Sequence, residues 1–186
     1  RGLGDVYKRQ GYGGVLCIET GGPTPGLGCA GRGIIATFSL LEDLELFETH
    51  QPDVVLYDVL GDVVCGGFSM PMRRGYADKV FVITSGENMA IHAAANIAMA
   101  VENFKDRGYA QLGGLILNRR NVKNEDAKVE ELAEDIHSKV IGTLSRSELV
   151  TDAEEQKKTV IEAYPDSEMA EEYRILAGKI RTLCGI

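Results

Sequence analysis

The stretch that decides the fold is KVFVITSGENMAIHAAANIAMAVENFKDRGYAQLGGLILN, residues 79–118. It begins with an apolar run, 79–85, that is typical of a buried strand. An alanine-rich segment with helical spacing follows at 87–108, and it ends on Gly108, a residue that commonly stops a helix. A second apolar run, 112–118, completes the unit. This order predicts two parallel strands joined by a helical crossover.

The same alternation extends outward in both directions from this unit. Short apolar runs predict three more strands, and helical spacing predicts three more helices. The predicted strands are 14–19, 53–59 and 139–144, and the predicted helices are 34–47, 125–139 and 169–183. Strands that alternate with helices indicate an α/β fold with a mostly parallel sheet flanked by helices. Residues 1–10 show no strand or helical periodicity. We therefore expect one domain at 11–186, preceded by a segment that is either foreign to the fold or a plain flexible terminus.

Composition narrows the class of protein. The chain has 186 residues, of which 44% are hydrophobic and 26% charged, as in an average soluble globular domain. Its formal net charge of −8 argues against nucleic-acid binding, and no apolar run is long enough for a membrane helix. Because no secretory signal or disulfide framework is visible, we expect a reducing, cytoplasmic location.

The four cysteines divide into two pairs. Cys29 in GCAGRG and Cys65 in DVVCGGF stand in glycine-rich loops, where open backbone N–H groups favour a thiolate. Taken alone, GCAG is better explained as a buried structural cysteine in a tight turn than as a metal ligand. Together they suggest an iron–sulfur cluster, which needs about four thiolates and would be completed by a twofold dimer. Cys17 is most simply a core residue of its strand, and Cys184 an unligated residue of the tail.

Two polar residues end predicted strands. Asp58 closes the run DVVLYD, as does the Mg²⁺-holding aspartate of Walker B segments, and the following Gly61 would let a switch turn. The alternative role for Asp58 is a helix or turn cap. Asn118 closes LILN, where its amide can contact a purine base edge, or form an ordinary Asx turn.

Several segments together resemble the nitrogenase iron protein (dinitrogenase reductase) family of P-loop NTPase-like proteins. The segments are GYGGVLCIETGGPTPGLGCAGRG (11–33), YDVLGDVVCGGFSMP (57–71), TSGENMA (84–90), LGGLILNRRN (112–121) and TVIEAYPDSEMAEEYR (159–174). The resemblance implies a homodimer with one [4Fe–4S] cluster shared between two subunits, and MgATP bound in each subunit.

The resemblance also implies roles for individual residues. The ligands of the cluster are Cys29 and Cys65, and Asp58 and Asp62 belong to the ATP-responsive switch. Nucleotide contacts come from Asn118, Arg146 and Tyr173. Arg32 and Arg73 dock on the partner protein. Arg32 is ADP-ribosylated in some members of the family.

The implied activity is gated electron transfer. A ferredoxin or flavodoxin reduces the cluster, and ATP binding and hydrolysis accompany electron transfer to a molybdenum–iron-type catalytic protein. The alternative within the same chemistry is the reductase component of a tetrapyrrole-reducing system, which neighbouring genes would distinguish. A non-redox positioning ATPase or an iron–sulfur carrier is a third alternative, but neither needs both glycine-flanked cysteines.

One expected part is missing from the sequence. No G-x-x-x-x-G-K-[ST] motif is present, since the only Gly–Lys pair, Gly178–Lys179, is followed by isoleucine. In the family, the first strand, the phosphate-binding loop and the first switch precede the segment that begins at Gly11. We therefore expect this chain to be a fragment lacking the N-terminal strand and P-loop, and inactive alone.

We predict that the isolated 186-residue chain is poorly soluble and does not bind MgATP tightly. The reason is that no backbone cradle for the phosphates is encoded in it, and a sheet without its first strand has unpaired edges. Calorimetric titration of the purified chain with MgATP tests this, and a saturable isotherm would refute it.

Overall fold

The computed structural model describes residues 6–20, 30–61, 69–73 and 75–186, and the chain forms two compact units, Arg1–Arg73 and Arg74–Ile186. The first unit opens with a hairpin. Strand β1 (Val6–Gln10) pairs antiparallel with β2 (Leu16–Thr20), and a short 3-10 turn over Tyr12–Gly14 joins them.

The hairpin corrects three expectations. The segment 1–10 was expected to lack a strand, but β1 lies within it. The strand predicted at 14–19 exists as β2, but it joins an antiparallel ribbon rather than the parallel sheet. Cys17 was expected in the core and is exposed, because the two-stranded ribbon leaves it without a covering layer. Pairing is held at the turn by Gly11, whose N–H donates to the Val15 carbonyl at 2.7 Å.

The helix predicted at 34–47 is two helices. Helix α1 (Ala30–Asp43) begins earlier, and α2 (Leu46–His50) follows after Glu45, whose left-handed backbone (φ 48°) breaks the helical path. Phe38 of α1 is buried and its ring lies 5.3 Å from that of Tyr57, centroid to centroid.

The strand predicted at 53–59 is wrong. The described segment 51–61 is irregular, and its aliphatic side chains, including Val54 and Leu56, are exposed, whereas Tyr57 is half-buried beside Phe38. The physical reason is that a fully apolar strand needs neighbours on both sides, and none is paired with this segment in the described part of the chain.

The second unit contains a parallel sheet of three strands in the order β3–β4–β5. Strand β3 (Lys79–Thr84) pairs with β4 (Gln111–Asn118), which pairs with β5 (Val140–Leu144). All three strands were predicted. The helices of this unit are α3 (Asn88–Phe104), α4 (Glu125–Asp135), α5 (Glu148–Glu155), α6 (Val160–Ala163) and α7 (Glu168–Cys184).

Three of these helices were predicted and two were not. Helices α3, α4 and α7 match the segments 87–108, 125–139 and 169–183, although α4 ends four residues early. After α3, a 3-10 turn ends on Gly108, whose φ of 71° is the left-handed cap that the sequence indicated. The short helices α5 and α6 were missed. No helix in the described ranges is long and apolar enough to cross a bilayer.

Helices cover both faces of the sheet. Leu115 and Leu117 of β4 pack with Val129 of α4 on one face, whereas Ile116, between them, packs with Met169 of α7 on the other. The alternation along β4 places these neighbours on opposite faces. The predicted parallel sheet flanked by helices is thus confirmed for the second unit.

Replacing Leu115 with alanine is expected to lower the free energy of unfolding by about 2–5 kcal/mol. Leu115 is fully buried, so the truncation leaves a cavity between the sheet and its helices. Ile83→Ala is the matched control, because Ile83 is 63% exposed on the neighbouring strand and should change stability by about 0.5 kcal/mol or less. Urea denaturation followed by circular dichroism measures both, and equal losses would contradict the assigned core.

Candidate functional site

The carboxyl ends of the three parallel strands bring polar loops to one edge. Asn118 is the exposed last residue of β4 and pairs in register with Leu144 of β5. The hydrogen bonding between β4 and β5 extends one residue beyond Asn118, because the Arg119 N–H donates to the Leu144 carbonyl at 2.9 Å. In parallel α/β sheets ligands bind at this edge. The predicted placement of Asn118 at a strand end is therefore correct.

A buried carboxylate fixes the loop after β4. Glu125, in the first turn of α4, is only 5% exposed, and its two oxygens accept the N–H groups of Arg120 at 3.0 Å and Asn121 at 3.1 Å. Beside it, the Arg119 guanidinium pairs with Asp126, and this hydrogen bond is the first cause of a raised pKa of Arg119. The loop that follows Asn118 is thus held along its length.

A second carboxylate fixes the loop after β5. Glu172 of α7 accepts the N–H and the hydroxyl of Ser145, each at 2.7 Å. The next residue, Arg146, is exposed, and its guanidinium donates to the Arg120 carbonyl at 3.5 Å. The structure therefore brings the loops that carry Asn118 and Arg146 together at the same edge.

Tyr173 follows Glu172 on α7, next to the residue that binds Ser145. It is half-buried and packs against the core cluster between the sheet and helices α5–α7. Burial raises the pKa of the Tyr173 phenol, and the negative charges of Glu172 and Glu154 raise it further. The phenol therefore keeps its proton at neutral pH and can donate a hydrogen bond.

The loop after β3 is locked to the start of α4. Gly86 lies so close to Glu125 that a Cβ on it would stand 2.6 Å from the Glu125 Cα. The Lys128 ammonium donates to the Gly86 carbonyl and to Asn88 Oδ1, both at 3.2 Å. An open pocket lined by Glu87, Met89 and Val122, among others, lies beside this contact.

Gly86→Ala is expected to destabilise the second unit by about 1–3 kcal/mol, because α4 must move to admit a methyl group. The matched control is Gly178→Ala on α7, where a Cβ meets open space. That change should leave stability equal or raise it by about 0.5–1 kcal/mol, through helix propensity. Thermal melts of the two variants compare them, and an unchanged melting temperature for Gly86→Ala would contradict the contact.

The residues predicted in the first unit are placed only in part. Arg32 lies in α1, and Arg73 is exposed after the 3-10 turn Met70–Met72. Asp58 is exposed in the irregular segment 51–61, so its expected place at the end of a strand is wrong, while its role stays a prediction. The remaining predicted residues, Cys29, Asp62 and Cys65, lie outside the described residues.

The described thiols do not form a metal site. Cys17 and Cys184 are exposed and free, and in residues 6–20, 30–61, 69–73 and 75–186 no three His, Cys, Asp or Glu side chains converge. The other two cysteines, Cys29 and Cys65, lie outside the described residues, so their role as cluster ligands stays a prediction.

Comparison with known proteins gives consistent results. A family profile described as "4Fe-4S iron sulfur cluster binding proteins, NifH/frxC family" matches residues 2–183. The chain is 51% identical over 174 residues to the nitrogenase iron protein of Methanospirillum hungatei, covering 92% of this chain and 61% of that protein. It is 46% identical over 171 residues to the nitrogenase iron protein of Methanococcus voltae, covering 92% and 62%. The chain thus spans about three fifths of the length of these relatives.

Among solved structures, the MinD cell division protein of Aquifex aeolicus shares the fold, with a TM-score of 0.57 and 19% identity over 84% of this chain and 61% of that one. This likeness confirms the predicted α/β fold with a parallel sheet flanked by helices, and it concerns the fold alone. The profile match covers nearly all of the sequence and carries the stronger conclusion. The chain belongs to the NifH/frxC family of 4Fe-4S iron–sulfur cluster binding proteins.

Proposed function

We propose that the protein carrying this chain is a nitrogenase reductase. It is an ATP-dependent electron-transfer protein that passes electrons from a [4Fe–4S] cluster bridging a homodimer to the nitrogenase catalytic component. The observation that carries this proposal is membership of a 4Fe-4S family together with 51% identity to a nitrogenase iron protein. A reducing cytoplasm, in which thiolates persist, is the compartment in which it would act.

We assign Cys29 and Cys65 as the ligands of the cluster. Each chain supplies two thiolates, so a twofold dimer supplies the four that such a cluster needs. When bound, the cluster supplies one-electron redox chemistry. The sequence places glycines next to both cysteines, and backbone N–H groups there would hydrogen-bond the sulfur atoms of a bound cluster and tune its potential.

We assign the strand-end edge of the second unit to the nucleotide. Asn118 offers an amide donor and acceptor to the base, while Arg146 and the protonated Tyr173 phenol complete its surroundings. Asp58 would hold Mg²⁺ directly or through water, and Asp62 would link the nucleotide to the cysteine loop. The meeting of the Asn118 and Arg146 loops at one edge supports this assignment.

We assign Arg32 and Arg73 to docking on the catalytic, molybdenum–iron-type protein, with Arg32 as the position that ADP-ribosylation would block. Arg73 is exposed, as a docking residue must be. Guanidinium groups suit this role because they bind carboxylates in a bidentate manner. A ferredoxin or flavodoxin would supply the electrons.

Electron paramagnetic resonance of the anaerobically purified whole protein tests the proposal. We expect a reducible [4Fe–4S] signal, four irons for every two chains, and a spectrum that changes when MgATP is added. A protein without that signal, or with four irons per single chain, would contradict the shared cluster.

The reductase of a tetrapyrrole-reducing system would give the same spectrum. The two functions are therefore distinguished by which catalytic component accepts the electrons. We expect the reduced protein to support acetylene or dinitrogen reduction when mixed with a molybdenum–iron-type protein. Activity with a tetrapyrrole-reducing component alone would favour the alternative. The names of the curated relatives support the nitrogenase.

A further inference from the structure

Two glutamates, Glu125 and Glu172, use all of their carboxylate oxygens on the loops at the strand-end edge. We propose that both are positioning residues, which set the loops carrying Asn118 and Arg146 so that a nucleotide base is recognised. This inference rests on the proposed function, because it assumes that the edge binds a base. Neither glutamate touches the base in the proposal, since both have their hydrogen-bonding capacity directed at the protein.

Glu125 acts on the loop after β4. Glu125 as a whole is 5% exposed, and its carboxylate accepts two backbone N–H groups, those of Arg120 and Asn121. A buried charge is stable only when hydrogen-bonded, and two N–H donors at 3.0–3.1 Å satisfy it. The loop accepts this geometry through Asn121, whose φ of 61° is left-handed. Without the carboxylate, these N–H groups would lack partners and the turn after Asn118 would lose its constraint.

Glu172 acts on the loop after β5. It holds Ser145 by both the N–H and the hydroxyl, each at 2.7 Å, which is a two-point clamp on the residue before Arg146. Because Glu172 precedes Tyr173 on α7, the clamp also ties this helix to the loop. All three residues assigned to the base are thus held relative to one another by two carboxylates.

The loops are further joined to each other. Arg146 donates to the Arg120 carbonyl at 3.5 Å, and Arg120 is the residue whose N–H Glu125 accepts. Disturbing either clamp should therefore displace both loops rather than one. A base site with donors and acceptors out of place loses discrimination between bases, since selectivity depends on hydrogen bonds that are made or left unpaired.

The chemistry of the two clamps predicts opposite responses to the same substitution. At position 125 both partners are N–H groups, which only donate, so the NH₂ of glutamine would face a donor and leave it unpaired. At position 172 one partner is the Ser145 hydroxyl, which can also accept, so glutamine keeps both hydrogen bonds. Glu125→Gln should therefore impair positioning, whereas Glu172→Gln should preserve it and Glu172→Ala should remove it.

The test measures dissociation constants for MgATP, magnesium inosine triphosphate and magnesium tripolyphosphate on the whole protein. Inosine triphosphate differs from ATP only in the base, and tripolyphosphate has none. The preference for ATP over inosine triphosphate is expected to fall about tenfold in Glu125→Gln and Glu172→Ala, the scale of one hydrogen bond. It should stay within about twofold in Glu172→Gln and in the control Glu171→Gln, whose side chain pairs with Arg174 on the surface.

Tripolyphosphate binding shows whether a variant is folded, because it does not involve the base. If Glu125→Gln loses that binding too, Glu172→Ala decides the question. An unchanged preference for ATP in variants that still bind tripolyphosphate overturns the positioning role and leaves the proposed function standing. A wild-type protein without preference between ATP and inosine triphosphate overturns the base site itself, and the positioning role with it.

Discussion

Replacing Cys65 or Cys29 with serine is expected to abolish the [4Fe–4S] signal of the reduced protein and its electron-transfer activity. A serine hydroxyl is a poor ligand for a soft iron–sulfur cluster, which selects thiolates. Because the cluster is shared in the proposed dimer, one substitution in the gene removes two of the four ligands. The loss should therefore be complete rather than graded.

Iron content and electron paramagnetic resonance measure this result. The two remaining cysteines provide matched controls within the same chain, since Cys17 on β2 and Cys184 at the end of α7 are exposed and free. Cys17→Ser and Cys184→Ser should retain four irons per dimer and full signal. A cluster that survives Cys65→Ser, or that disappears in Cys17→Ser, would contradict the assigned ligands.

Asp58→Asn is expected to slow ATP hydrolysis and ATP-dependent electron transfer by about 10–100-fold, the scale for losing a carboxylate that acts on a metal ion through water. The amide is neutral, so it neither attracts Mg²⁺ nor orders its water as a carboxylate does. The cluster should remain intact, because no thiolate is altered. An unchanged cluster signal with slowed ATP hydrolysis therefore separates this variant from the cysteine variants.

Phosphate release and reduction of the catalytic protein are the two measurements for Asp58→Asn. Asp53→Asn is the control, because Asp53 is an exposed carboxylate in the same irregular segment and changes the net charge equally. The control should hydrolyse ATP at the wild-type rate. Equal rates for the two variants would refute a role for Asp58 in binding Mg²⁺.

The parallel sheet of the second unit could be predicted from the sequence because its strands are buried from both faces. The runs at 79–85, 112–118 and 139–144 are short, apolar and separated by helical segments. This pattern is typical of buried parallel strands. The segment 53–59 has the same pattern, yet it is exposed in the described structure. The apolar pattern shows that a segment could form a buried strand. Whether it does so also depends on a neighbouring strand with which it can pair.

The elements that were missed gain their stability from short-range hydrogen bonds. Strand β1 has no apolar alternation, and backbone pairing with β2 defines it. Helices α5 and α6 are too short for a clear period. Their signal was available in the caps, since Ser147 and Thr159 each accept an N–H from the first turn of the helix that follows. Cap residues deserve equal weight with periodicity for short helices.

The strand-end edge could be predicted only for its outermost residues. Asn118 ends an apolar run, which is a visible signal, and Arg146 entered through family resemblance. Glu125 and Glu172 were missed because their partners are backbone groups elsewhere in the chain, such as Ser145 for Glu172. No local pattern distinguishes them from other glutamates on charged helices. Only the folded structure, in which the loops after β4 and β5 pack against these helices, shows that the carboxylate oxygens of both glutamates accept hydrogen bonds.

The order β3–β4–β5 has a consequence for how the second unit is made. Each strand pairs with the next one along the chain: Lys79 with Gln111, and Leu115 with Val140. Pairing with the next strand keeps each loop to be closed as short as a parallel connection through a helix allows, and the entropic cost of closure grows only slowly with loop length. The sheet can therefore be assembled strand by strand in the order of synthesis. We expect residues 74–186 to acquire protease resistance as one cooperative step, once α7 packs on the sheet, and limited proteolysis during refolding measures this.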